Sequence, residues 1–432
     1  MIQEFFATHN FNLIQILLVV IGYLMPIPLA MIAFNLWHHY RQERFIMGIK
    51  WVLLEIQVPR DVVKTPAAME LVLSNAFYHK SFKGFWEQYI QGAPWMWFSL
   101  EIASIDGNVH FFVRTPTRIR DLVETQIYGQ YPQAKVVEVD DYAFHVPQYK
   151  KNGDWNMWGC EFKKLKHDVQ SIKTYKQMEE MKSGTKEEFK VDPITPVIEY
   201  LGALPKGQQV WIQIIIRQSI KKYHSHVTGK NIDFETYAEE HIKEVLKPFV
   251  RLHLGEGPGG TDSMEIRAPG YLDDMIKLWS TNLRQIHFDC GIRLITLSDK
   301  RITTEEQFQN LRRSSRLLFR QYAAPFSNEL WRVNSTQFDA PWSDPTGLAL
   351  TKIKKRMLDW YRMRTFFHPP IQYAYNYPAI LSAFFPSHKA NIFVLSSEEL
   401  ATIYHFPGMV SETPSFKRIE SKIAKPPTNL PI

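Results

Sequence analysis

The longest uncharged stretch of this chain, residues 11–37, constrains its architecture more than any other feature. It reads FNLIQILLVVIGYLMPIPLAMIAFNLW and contains no Asp, Glu, Lys or Arg. A helix crosses the hydrocarbon core of a bilayer with about 20 apolar residues. We therefore expect one transmembrane helix, kinked or broken at Pro26 and Pro28, because proline removes a backbone hydrogen-bond donor.

The residues that flank this stretch predict its orientation. Trp37 is typical of the aromatic belt at a membrane surface, and Arg41 and Arg44 form a basic flank, whereas Glu4 precedes the stretch without any Lys or Arg. By the positive-inside rule, the domains that follow lie in the cytoplasm. The alternatives are a buried core helix and a cleaved signal peptide, for which residues 29–33 are a poor cleavage site.

The bulk composition is that of a globular protein. The chain has 432 residues, of which 45% are hydrophobic and 22% charged, and its formal net charge is +7. This length predicts two or three domains after the anchor, and the charge permits contact with an anionic partner without requiring one. The only two cysteines, Cys160 and Cys290, exclude a disulfide framework and a cysteine-based zinc module.

Strand and helix signals over residues 49–145 predict a ferredoxin-like domain of order βαββαβ. Asp106-Gly107 separates two apolar runs, and this dipeptide is a strong signal for a β-hairpin. Thr65-Pro66 combines a preferred N-cap with a first-turn proline. The predicted elements are a strand at 49–58, a helix from 65, strands at 97–105 and 108–114, a helix at 117–130 and a strand at 135–139.

The same order recurs over residues 150–336, which predicts a second ferredoxin-like domain with a helical insertion at 219–286. Thr303 and Glu306 predict a capping box for its second helix. Because the first and third strands of this fold are neighbours, the strands of Cys160 and Cys290 should be adjacent, with the two residues within about 10 Å. The predicted elements are strands at 155–163, 209–218, 288–298 and 329–334, helices from 195 and 303, and insertion helices at 234–249 and 271–285.

The fold class predicted from these patterns is α+β, with a transmembrane helix followed by two ferredoxin-like units. Residues 1–48 form the anchor and its basic flank, and residues 165–190, charged with mixed sign, are typical of an exposed linker. Residues 337–410 predict a region of helix and short strand. The proline-containing residues 411–432 predict an extended linker tail.

We expect no catalytic, cofactor-binding or metal-ligating residue in this chain. The glycines within residues 255–260 lack the Gly-Lys-Ser/Thr ending of a P-loop. His224 and His226 have no third ligand near them in sequence, so a solvated loop is the better interpretation. Asp140-Asp141 is typical of a strand end. The sequence therefore predicts that the chain is not an enzyme.

Two basic stretches are the candidate contacts for an anionic partner. Such surfaces suit phosphate backbones, anionic lipid head groups or an acidic protein, and a merely solvated helix face is the alternative. The candidate residues are Arg312, Arg313, Arg316 and Arg320 in the first stretch, and Lys352, Lys354, Lys355, Arg356, Arg362 and Arg364 in the second.

Several segments together resemble a known family. They are WVLLEIQVP at 51–59, KTPAAME at 64–70, SLEI at 99–102, HFFVR at 110–114, ETQIYGQYPQAKVVEVDD at 124–141, LSSEELAT at 395–402, HFPG at 405–408 and KPPTNLP at 425–431. They are similar to the membrane-proximal region that precedes the motor domain in bacterial type IV secretion and conjugation-type ATPases, relatives of the coupling proteins and of the HerA/FtsK class.

The resemblance implies a membrane-anchored, non-catalytic subunit that docks a translocation ATPase at the cytoplasmic face of the bacterial inner membrane. Its implied partners are membrane lipid, the P-loop ATPase and further copies of itself, in a hexamer with the motor. In the family the motor begins just past the tail, so a split gene, a truncation or a separate motor polypeptide is expected here. The alternative function is a membrane-tethered protein that binds nucleic acid or anionic lipid.

Overall fold

The computed structural model describes residues 22–59, 64–79, 83–180, 192–253, 263–266, 269–324, 327–338, 342, 344–368 and 391–407. The chain divides into two compact units. The smaller unit takes residues 1–49, 81–94 and 368–389, and the larger takes residues 50–80, 95–367 and 390–432. The glycine-rich residues 255–260 and the predicted tail at 411–432 lie outside the described residues.

The smaller unit is built on helix α1, Pro26–Met47. Its two prolines lie in the first turn, where the missing N–H has no intrahelical partner to lose. A π-helical turn at Trp86–Ile90 packs against α1, with the Arg41 Nε donating a hydrogen bond to the Ile90 carbonyl at 3.0 Å. The predicted membrane-flank residues are therefore part of this helix: Trp37 lies on its surface, and Arg44 donates to the Tyr40 hydroxyl.

The predicted transmembrane helix is wrong for the part of the chain that the structure describes. No helix there combines the length and the apolar composition needed to cross a bilayer. Residues 11–21 lie outside the described residues, and α1 begins at the prolines and continues through His38, Arg41 and Arg44. Its apolar part is thus shorter than the roughly 20 residues of a span. The predicted anchor and single-pass inner-membrane location are corrected accordingly.

The larger unit is built on an antiparallel sheet of nine strands. Their order is β12-β5-β11-β6-β2-β3-β1-β4, and β13 pairs with β11 beyond the end of β5. Two small hairpins, β7 with β8 and β9 with β10, lie outside this sheet. The strands are β1 Trp51–Gln57, β2 Trp97–Ile105, β3 Asn108–Pro116, β4 Lys135–Glu138, β5 Trp155–Lys164, β6 Gln208–Gln218, β7 Tyr223–His224, β8 Asn231–Ile232, β9 Val250–His253, β10 Ser263–Ile266, β11 His287–Asp299, β12 Leu330–Val333 and β13 Phe393–Ser396.

The pairing of β2 with β6 corrects the prediction of two ferredoxin-like units. These strands were assigned to different units, yet they pair from Trp97 opposite Arg217 to Ile105 opposite Gln209. Both strands are buried along almost their whole length, so neither is the edge that a separate unit would expose. One continuous sheet replaces the predicted pair of domains behind an N-terminal transmembrane helix.

Side chains alternate between the two faces of this sheet, as the period of a strand requires. On β6, Ile212, Ile214 and Ile216 enter the larger apolar core, whereas Trp211 enters the smaller core on the opposite face. Helices α2, α3, α5, α8 and α10 cover the first face, and α9 covers the second. The remaining helices are α2 Pro66–Val72, α3 Arg120–Gln130, α4 Tyr175–Glu180, α5 Thr195–Gly202, α6 Phe234–Leu246, α7 Gly270–Leu283, α8 Glu305–Ser315, α9 Leu348–Met363 and α10 Ser397–Ile403.

Several local predictions are confirmed. Asp106 and Gly107 have φ angles of +55° and +83°, the two positive values that a type I′ hairpin turn needs. The two insertion helices are α6 and α7. The strands of Cys160 and Cys290 are neighbours, but Cys160 pairs with Leu294, four positions from Cys290. That offset is about 13 Å along a strand, so the two cysteines are farther apart than predicted.

Two local predictions are corrected. The capping box of α8 uses Thr304 and Gln307, one residue later than predicted, because Thr303 is buried in the preceding turn. The predicted linker at 165–190 is partly structured: Val169 and Ile172 are buried ahead of α4, and Tyr175 is buried at its first position. Residues 181–191 of that segment lie outside the described residues.

Candidate anion-binding surface

Helix α8 places the first basic stretch at the edge of the sheet. Phe308, Leu311 and Ser315 form its buried side, which contacts β11. Arg312 and Arg313 lie in its last turn, where positive charge interacts favourably with the helix dipole. Arg313 and Arg320 are exposed, and Arg312 is half-buried.

Helix α9 presents the second basic stretch on the opposite face of the sheet. Met357, Leu358, Trp360 and Tyr361 are its buried residues, so its amphipathic pattern fixes which side faces the core. Lys352 and Lys355 are exposed on the solvent side. Lys354 lies between the two sides, with its ammonium 4.9 Å from the centre of the Tyr149 ring.

The two basic stretches meet at Lys354 and Arg312. Burial lowers the pKa of Lys354 to about 8; Glu305 opposes this shift, while the positive charges of Lys300 and Arg312 reinforce it. Arg312 lies close enough to Lys354 to influence its charge, although the two residues belong to helices on opposite faces of the sheet. The two basic stretches are separate in the sequence, and the fold allows Arg312 of the first to act on Lys354 of the second.

A fourth cation joins them from the edge strand. Burial lowers the pKa of Arg312, and the charges of Arg313 and Arg332 lower it further, whereas Glu305 raises it. Arg332 lies on β12, which is the last strand at this side of the sheet. We call Lys300, Arg312, Arg332 and Lys354 the basic cluster. Its members come from four different segments of the chain.

The basic cluster retains unused hydrogen-bonding capacity. The Nε of Arg312 is buried without a hydrogen-bond partner among the described residues. A buried donor of this kind costs free energy until a partner accepts its proton. The cations also repel one another, and Glu305 offsets this repulsion only in part at Lys354 and Arg312, so an anion bound among them would relieve both costs.

Other candidate residues contribute to packing. The guanidinium of Arg316 lies 5.2 Å from the centre of the Trp158 ring, and that of Arg356 lies 5.0 Å from the centre of the Trp360 ring. Arg362 donates from Nε to the Ala143 carbonyl at 3.0 Å, which attaches the end of α9 to the neighbouring turn at Tyr142–Phe144.

Arg364 belongs to the core, so its prediction as a contact for an anionic partner is wrong. Its side chain is fully buried and bonds to Glu101 and Asp141. Around this pair lies a buried polar network in which Tyr142 donates to Glu101 at 2.8 Å, and Gln213 accepts from Arg293 at 3.1 Å. These hydrogen bonds hold the Arg364 side chain inside the fold.

Sequence reasoning missed two members of the basic cluster and a histidine pair. Lys300 belongs to a Lys-Arg pair and Arg332 is an isolated cation, and neither lies in the two basic stretches that the sequence singled out. His167 and His241 are far apart in sequence, yet their rings stack. Among the described residues, no group of three or more His, Cys, Asp or Glu side chains could hold a metal ion.

Comparison with protein-family models and with curated proteins gives no match to this chain. The resemblance to the membrane-proximal region of type IV secretion ATPases therefore stays a prediction.

Proposed function

We propose that this chain is a non-catalytic docking subunit for a P-loop ATPase of the translocation class, and that the basic cluster is the surface that contacts its anionic partner. The observation that carries the proposal is the buried Nε of Arg312 on α8, which has no hydrogen-bond partner among the described residues, in a side chain whose charge acts on Lys354 of α9. Like charges held together in this way favour binding of an oppositely charged surface.

A second observation supports docking. In the resembled family, the segment at 395–402 leads into the motor. Here it forms the end of β13 and helix α10, in which every residue is buried. The Glu399 carboxylate bonds to the Lys164 ammonium at 2.8 Å, and neither side chain is exposed to solvent. A motor recruited near this segment would therefore be held against a rigid sheet.

Affinity purification with charge-matched variants tests the proposal. The tagged chain, purified from its native cells, should enrich a P-loop ATPase detectable by mass spectrometry. The double variant Arg312→Gln/Lys354→Gln should lose most of this enrichment. The control Lys352→Gln/Lys355→Gln removes the same charge from exposed positions on α9 and should retain it. Failure to enrich any P-loop ATPase, or equal losses in the two double variants, would contradict the proposal.

Nucleic-acid binding is the second candidate, favoured by the buried donor of Arg312. Arginine is well suited to phosphate because its planar guanidinium donates two parallel hydrogen bonds. Salt dependence tests this candidate: each phosphate neutralised on duplex DNA contributes about −0.9 to the slope of log affinity against log salt. A steep slope with an oligonucleotide supports nucleic-acid binding, and no measurable binding at low salt would contradict it.

A further inference from the structure

Five aromatic rings form a column beside the sheet, away from the basic cluster. They come from the loop after β5, strand β7, helix α6 and helix α7. Successive ring centres are 4.6, 5.1, 4.3 and 5.6 Å apart. In order along the column, the residues are Tyr223, Tyr237, His167, His241 and Trp279. The column therefore joins α6 to the loop that follows β5.

Two imidazoles form the centre of this column. The His167 and His241 rings are nearly parallel, with 12° between their planes. The Tyr237 hydroxyl is 2.6 Å from the His167 Nε2, and the His167 Nδ1 is buried without a partner among the described residues. Both histidines are half-buried and line a cavity of about 1180 Å³, together with Glu240 and Glu244 of α6. Protons can reach the rings through this cavity.

The charges around the pair leave little to neutralise two protonated rings. His167 is influenced by His241, Asp168, Lys221 and Glu244, and His241 is influenced by Glu244. Asp168 is already engaged, because it accepts from the Lys221 ammonium at 2.6 Å and from the Tyr223 hydroxyl at 2.5 Å. Of the two α6 carboxylates in the cavity, Glu244 acts on both rings, whereas Glu240 accepts from the Ser225 hydroxyl at 2.9 Å. Lys243 and Lys247 add positive charge to the same lining.

We propose that the stacked rings of His167 and His241 are a pH-sensitive latch, which holds α6 on the loop after β5 while both are neutral and releases it when both are protonated. The physical reason is repulsion between two positive charges whose ring centres are 4.3 Å apart. Besides this stack, α6 is held by the Ser225 hydroxyl, which donates to Glu240 at 2.9 Å, and by a small apolar cluster that includes Phe234 and Ala238 of α6 and Val169 of the loop after β5.

The pKa values give the direction of the effect. Burial lowers the pKa of both histidines below 6.5; for His167, the neighbouring His241 lowers it further. A histidine with a lowered folded pKa stabilises the fold fully above its unfolded pKa, near 6.5. That stabilisation is lost as the pH falls from there through the folded pKa. The latch should therefore be closed at pH 7.5 and open at pH 5.

A distance measurement on the full chain tests the latch. Spin labels at Glu239→Cys on α6 and Lys135→Cys on β4 replace exposed residues. Cys160 and Cys290 are buried and their thiol pKa values are raised, so they should remain unlabelled. Double electron–electron resonance should give one narrow distribution of label-to-label distances at pH 7.5. At pH 5 the distribution should be broader and shifted to longer distances. An unchanged distribution would overturn the proposal.

Two variants isolate the histidine pair. His241→Phe keeps an aromatic ring in the column but cannot be protonated, so its distance should stay narrow at both pH values. His226→Phe removes a histidine that lines the same cavity outside the stack, and it should open like the parent chain. Opening of the His241→Phe protein at pH 5 to the same extent as the parent would overturn the proposal.

Hydrogen exchange of the unaltered chain keeps the test independent of variant folding. After correction for the intrinsic rate, protection of the α6 amides should fall at least tenfold between pH 7.5 and pH 5. Protection of the α8 amides, used as an internal reference, should change much less. Equal changes in α6 and α8, or no loss in α6, would show that the histidine stack does not control α6.

Discussion

The side chain of Arg364 donates two hydrogen bonds to the carboxylate of Glu101, from Nε at 2.9 Å and from Nη2 at 3.0 Å. Both side chains are fully buried. Arg364 ends α9 in a left-handed conformation, with φ of +52°, whereas Glu101 lies on β2 in the middle of the sheet. The pair therefore ties the end of a helix to a strand that is far away in the sequence.

Removing one member of this pair should destabilise the protein strongly. Arg364→Met leaves the Glu101 carboxylate buried beside one fewer cation, and we expect the free energy of unfolding to fall by about 3–5 kcal/mol. The double variant Glu101→Gln/Arg364→Met should lose less than the sum of the single variants, because it removes the buried Glu101 charge together with its partner. Urea unfolding measures all three proteins. Arg313→Met, on an exposed arginine, is the control and should change stability by less than about 0.5 kcal/mol.

The same carboxylate should make the stability sensitive to acid. Burial alone would raise the pKa of Glu101, but Arg364, Ser99 and Tyr142 together hold it below its ordinary value near 4.5. A carboxyl with a lowered pKa stabilises the fold above that ordinary value and loses the contribution as the pH falls through the folded pKa. Urea midpoints should therefore drop below about pH 4.5, more steeply in the parent than in Glu101→Gln. Parallel curves for the two proteins would contradict this prediction.

Binding of a polyanion should weaken as Lys354 loses its proton. The pKa of Lys354 is about 8, so this side chain is mainly positive at pH 7 and mainly neutral at pH 9. Affinity for a labelled duplex oligonucleotide, measured by fluorescence anisotropy at constant salt, should decrease over that range. Lys354→Arg keeps its charge at pH 9 and should bind with little pH dependence. Lys352→Arg is the matched control and should follow the parent; a flat pH profile in the parent would count against a contact at Lys354.

The first half of the sheet should not fold by itself. In a fragment of residues 49–145, β2 would remain paired with β3, but the edge that pairs with β6 along all nine of its residues would be exposed. The fragment would also lose the contact between α2 and α10. Exposed apolar edges favour aggregation, so we expect a fragment without dispersed amide resonances. A monomeric fragment with a native-like NMR spectrum would show that the two halves are independent domains.

The features that the sequence predicted well depend on neighbouring residues. The Asp106-Gly107 turn and the two insertion helices each follow from signals within a short window of the chain. The prediction of a transmembrane span at 11–37 rested on a count of uncharged residues. In the described part of the chain, Pro26 and Pro28 lie in the first turn of a helix that continues into polar and basic residues.

The features that the sequence missed depend on distant partners. Strands β2 and β6 read as almost continuous apolar runs, and such runs indicate burial without indicating a neighbour. Arg364 looks like one more cation in a basic helix, because its partner Glu101 belongs to another part of the chain. The basic cluster was predicted in part: its two helices were identified, but Lys300 and Arg332 lie outside them, and their link to Arg312 and Lys354 depends on the fold.

The position of β13 sets a condition on the order of folding during synthesis. Strand β11 pairs with β5 over Ile292 to Asp299, but its first residues, from His287 to Cys290, take their partner from β13. That partner leaves the ribosome roughly a hundred residues after β11, which is a delay of about 5–20 s at about 5–20 residues per second. During this interval the start of β11 has an open edge, and a chaperone or a second nascent chain can reach it. The sheet is therefore completed only when one of the last described segments has been made.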